Sequence, residues 1–132
     1  VDEVDELKER LSRMKRKGDM ESVIAMLQTM SSLMPPSEDF AISLGKRGQH
    51  EYLLDRGGPL LVTMTQEEYL PFLTGNQRRI RYDQIPEDVI RSVMSRPREV
   101  LDQLRDIYVE QSKRENVSSK LDRLVAIIME FV

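Results

Sequence analysis

A chain of 132 residues lies in the single-domain range, where a core forms without disulfides or metals and a second full domain does not fit. Hydrophobic residues at 39% and charged residues at 33% match a folded protein and argue against disorder. The absence of cysteine excludes disulfides, thiolate nucleophiles and sulfur-based zinc sites, and a formal net charge of -3 leaves only a local patch for any polyanion.

No apolar run approaches the roughly 18 residues of a membrane span, and residues 1–9 are acidic rather than a basic leader. The sequence therefore predicts a cytoplasmic protein without a membrane segment. With four tyrosines, three phenylalanines and no tryptophan, few platforms exist for stacking unpaired bases.

In chain order, Asp2 is placed to cap a helix whose apolar residues Val4, Leu7, Leu11 and Met14 recur at spacings of three and four. Gly18 stops it, and Asp19 caps a second helix with a stripe of Met20, Val23, Ile24, Leu27, Met30 and Met34. So short a break makes residues 2–34 an αα-hairpin, ended by Pro35 and Pro36. Ser37, Glu38 and Asp39 start a short helix through Leu44 that stops near Gly45. Tyr52, Leu53 and Leu54 do not alternate, so 49–56 reads as another short helix, with a strand as the runner-up.

The apolar run at 59–64 reads as a buried strand, and its partner is 79–82, where Ile80 and Tyr82 alternate with Arg79 and Arg81. Thr65-Gln66-Glu67-Glu68 matches a capping box, with Met64 and Tyr69 as its hydrophobic staple. It predicts a short helix, disturbed by Pro71 and ending by Gly75. Helices follow at 86–94 and 97–114. The last helix, from 118, is apolar over most of its circumference, as a central helix or half of an oligomer interface is.

No residue pattern supports catalysis. His50 is the only histidine, so no histidine pair exists to hold a metal, and no nearby serine lies in a nucleophile-elbow pattern. Glu67, Glu68, Glu87 and Asp88 fall in expected first turns of helices, where they complement the dipole. Neither the Walker pattern nor the dinucleotide fingerprint is present.

Gly45-Lys46-Arg47-Gly48 resembles the GXXG loop of KH domains, although Glu51 stands where that pattern has an apolar residue. Phe40, Ala41, Leu44, Gly45 and Leu54 likewise resemble the spacing of a helix-turn-helix, although Lys46 and Glu51 occupy positions that motif buries. Either resemblance implies nucleic-acid binding around 37–56. Further basic residues cluster at 13–17, 78–81 and 91–98, where solvation of exposed faces is the ordinary use. Met26 and Leu33 widen the apolar stripe of the second helix beyond what one hairpin partner covers.

These readings give a mainly α single domain over 1–132: an N-terminal αα-hairpin (1–36), a middle with a small two-stranded β element (37–85), and a C-terminal three-helix set (86–132). The expected function is a non-enzymatic protein-protein interaction or assembly module acting through apolar helix faces. Its expected partner is another protein or a second copy in a homo-oligomer, and its candidate interface residues are Met26, Leu33, Leu124, Ile128 and Phe131. The alternative is nucleic-acid binding through Lys46, Arg47, Arg78, Arg79 and Arg81. No catalytic residue, cofactor, metal or small-molecule ligand is expected.

Overall fold

The computed structural model describes residues 3–35, 40–66, 73–115 and 118–131. Its elements are α1 (Glu3–Lys17), α2 (Met20–Leu33), β1 (Ile42–Arg47), β2 (His50–Asp55), β3 (Gly58–Gln66), β4 (Leu73–Arg79), a 3-10 turn at Tyr82–Gln84, α3 (Glu87–Ser95), α4 (Pro97–Glu115) and α5 (Ser118–Glu130).

The helical hairpin forms where its spacing indicates. Val4, Leu7, Leu11 and Met14 are the buried residues of α1, whose first turn is acidic and last turn basic, as the helix dipole favours. Gly18 takes φ 60° and its N–H returns to the Met14 carbonyl at 2.8 Å, closing the helix with a left-handed residue. The Asp19 carboxylate then accepts the Ser22 N–H at 2.9 Å and starts α2. The placement of Asp2 as a cap for α1 lies outside the described residues.

The middle of the chain corrects the expected fold. Instead of a two-stranded element, four antiparallel strands form a meander in the order β1-β2-β3-β4, so the protein is mixed α and β rather than mainly α. Both short helices expected around 40–56 are strands. Ile42 and Leu44 of β1 and Tyr52 and Leu54 of β2 are buried in alternation, the period of a strand with one covered face.

Two details concealed that period. Gly45 sits at a register shift, opposite Tyr52 while Ser43 faces Leu53, so β1 carries a bulge where a helix stop was expected. A side chain at Gly45 would meet Val89, and its φ of 155° is one that other residues rarely adopt. Leu53, meanwhile, shares the opposite face of the sheet with its partner Leu60, so three apolar residues stand in a row without a helical cause.

The 59–64 strand is present but longer, and it pairs with β4 from Leu60↔Arg79 to Gln66↔Leu73. Thr65 and Gln66 of the expected capping box are therefore strand residues, as is Gly75. Leu73 and Thr74 of that expected helix are strand residues as well, while its residues 67–72, and Ser37, the expected start of an earlier helix, lie outside the described residues.

The helices pack mainly on β1 and β2, with α3 and α4 against β1 and α2 against β2. One core of Ile42, Tyr52, Leu54, Val23, Met26, Leu27, Ile90, Leu101 and Leu104, among others, fills the space between. α2 is the central helix: it touches α1, α3 and β2, which accounts for its broad buried face, while Glu21, Gln28 and Ser32 remain exposed. No helix of the described residues is long and apolar enough to cross a membrane.

Candidate functional surfaces

The five candidate nucleic-acid contacts do not converge. Lys46 and Arg47 lie at the end of β1, on one edge of the sheet, whereas Arg78 and Arg79 lie on β4, the other edge. Three strand spacings, about 14 Å, separate the two edges. The glycine-flanked cations make neither a GXXG loop nor a helix-turn-helix. Lys46 and Arg47 end a strand, and Gly48-Gln49 is a two-residue hairpin turn closed by Arg47↔His50, with Gly48 at φ 60°.

Four of these five cations also have an acidic neighbour. Lys46 stands 3.8 Å from Glu51, Arg47 3.3 Å from Asp88 and Arg81 3.0 Å from Asp83. Arg79 is held most firmly: it donates to both Asp55 oxygens at 2.6 and 3.2 Å and to the Gly58 carbonyl at 2.8 Å, clasping the β2–β3 turn. Arg78 is exposed and has no ion-pair partner among the described residues. His50 is exposed too, with Nδ1 2.9 Å from Thr63 Oγ1, an ordinary cross-strand contact.

Most candidate interface residues lie inside the single chain. Met26 and Leu124 are fully buried, and Leu33 and Ile128 nearly so, while Phe131 packs against the same core. The surplus on α2 is covered by α3 and β2, which a two-helix view of the hairpin could not supply. On α5 the spacing distinguishes two stripes. Leu124, Ile127 and Ile128 form the core stripe, and Val125 and Met129, one turn apart, form a second that stays outside it.

No family model matches the chain, and neither do curated proteins or solved structures. The geometry alone therefore carries the functional argument.

Among the described residues, grooves include two with polar linings. One, of about 370 Å³, runs between α1 and α2 and is lined by Arg10, Arg13 and Lys17 facing Asp19, Glu21 and Ser22. There the hydrogen bonds from Ser22 hold the Asp19 carboxyl below the usual carboxylate range. The other, of about 360 Å³, lies between the edge of β1 and helices α3 and α4. Among the described residues no three histidine, aspartate or glutamate side chains gather as metal ligands do.

The two sheet edges differ in a way the sequence did not reveal. At β1 the side-chain amide of Gln103 accepts the Ser43 N–H at 2.8 Å and donates to the Ser43 carbonyl at 3.0 Å, filling the place of a neighbouring strand. At β4 nothing comparable is present among the described residues, and Asn76, Gln77, Arg78 and Arg79 are all exposed.

Proposed function

We propose that the protein is a non-enzymatic interaction and assembly module that associates with a second copy of itself through the outer face of α5. The observation that carries this reading is the second apolar stripe: Met129 is 65% exposed and Val125 37%, on a helix whose other side is already committed to the core. Single exposed apolar residues are ordinary, but two on adjacent turns of one helix form a continuous surface, and burying it is favourable at about 25 cal/mol per Å². A stripe of this kind is self-complementary, so a twofold axis across it sets apolar surface against apolar surface.

Sedimentation velocity at high micromolar concentration tests this. The wild type is expected as a dimer, and Met129→Glu as a monomer with an unchanged far-ultraviolet spectrum, because residue 129 lies outside the core. A monomeric wild type would remove self-association.

A further inference from the structure

The outward side of β4 has a definite chemistry. The Ile80 N–H donates to the Pro59 carbonyl, so Ile80 turns its backbone toward β3. Backbone direction alternates along an antiparallel strand, so Arg78 opposite Leu61 and Asn76 opposite Thr63 also point inward. Gln77 and Arg79 therefore direct their N–H and C=O groups away from the sheet. The two-residue turn at 56–57 fixes the same phase independently, since closure at Asp55↔Gly58 sets Pro59 and Leu61 toward β4.

We infer that this edge receives an extended peptide segment, added as a fifth strand, in which acidic and apolar residues alternate. The backbone groups of Gln77 and Arg79 supply the main-chain pairing. Arg78, exposed and without an acidic partner among the described residues, selects an acidic side chain directly beside it. The next position of such a strand falls on the other face, in the row of Leu60 and Arg79 or of Val62 and Gln77. There an apolar side chain packs along the side-chain stem of Gln77 or Arg79, one strand out from Leu60 and Val62, which lie apart from the main core. A second copy of β4 fits less well, because it brings another Arg78, Arg79 and Arg81 to the same edge.

The surface is distinct from the α5 stripe, and its test does not depend on that reading. The probe is the capped peptide (Val-Glu)4, with (Val-Lys)4 as its charge-reversed counterpart, added to the ¹⁵N-labelled full chain. Amide exchange is read residue by residue, and affinity by fluorescence anisotropy. (Val-Glu)4 is expected to slow exchange at Gln77 and Arg79 while leaving the already bonded amides of Arg78 and Ile80 unchanged.

Gln77→Pro removes only an outward donor, at a position where edge strands tolerate proline, and is expected to abolish binding without unfolding the protein. Arg78→Glu is expected to weaken (Val-Glu)4 roughly tenfold and to strengthen (Val-Lys)4 by a similar factor, so the charge rescue stands even if the proline variant fails to fold. Absence of (Val-Glu)4 binding at millimolar concentration, or binding without protection at Gln77 and Arg79, would overturn the inference. Protection of Gln77 that appears without peptide and grows with protein concentration would also overturn it, by making the occupant a second copy.

Discussion

Tyr108 reaches from α4 to the end of α2, where its buried hydroxyl donates to the Leu33 carbonyl. Burial, with a smaller contribution from Glu3, pushes its phenol up to about 12. A folded-state value above the ordinary 10 means that the unfolded chain gives up this proton first. The contribution to stability is therefore complete below pH 10 and is lost between pH 10 and about 12. Burial raises Tyr82 in the same direction. Tyr108→Phe leaves a buried carbonyl without its donor and is expected to cost about 1–2 kcal/mol in urea denaturation at pH 7. The loss of stability above pH 10 should be shallower in this variant, and an identical alkaline profile would show that Tyr108 is not its source.

At the scale of elements, the protection of β1 rests on one side chain. Gln103→Leu removes both bonds to Ser43 and leaves an N–H and a C=O unpaired beside a leucine, at an expected cost of about 1–2 kcal/mol. It also opens an edge that can pair with other chains, so this variant should elute as larger species in size-exclusion chromatography where the wild type does not. Unchanged elution and stability would mean that α3 and α4 seal the edge without Gln103.

The helices were legible because each depends on signals within about four residues: the Asp19 cap, the left-handed Gly18, and the i,i+3,i+4 stripes of α1, α3 and α4. The sheet was not, because strand signals depend on what covers each face. β4 is exposed on both sides from Asn76 to Arg79 and so has no apolar alternation to show. In β1 and β2, the Gly45 bulge and the outward Leu53 interrupt the period of two. The burial of the candidate surface residues was hidden for a related reason. Apolar surplus on α2 indicates only that something covers it, and α3 and β2 are far away in sequence. On α5 the distinction was within reach, since Val125 and Met129 fall outside the stripe of Leu124, Ile127 and Ile128.

Across the whole molecule, the bonds that join its parts span long stretches of chain. The Ser31 hydroxyl donates to the Asp55 carbonyl at 2.6 Å, the Arg56 guanidinium donates to the Met34 carbonyl at 2.8 Å, and Tyr108 closes on the same end of α2. Hairpin, sheet and C-terminal helices thus share one set of contacts. Urea unfolding followed by circular dichroism and by tyrosine fluorescence is expected to give coincident single transitions, whereas separated midpoints would show independent units. The Gln103 contact has a further consequence for the newly made chain. All four strands leave the ribosome before the residue that seals β1, which lies 60 positions after Ser43. From the end of β4 at Arg79 to Gln103 is 24 residues, so at about 5–20 residues per second roughly 1–5 s pass in which the completed nascent sheet has no Gln103 contact on its β1 edge.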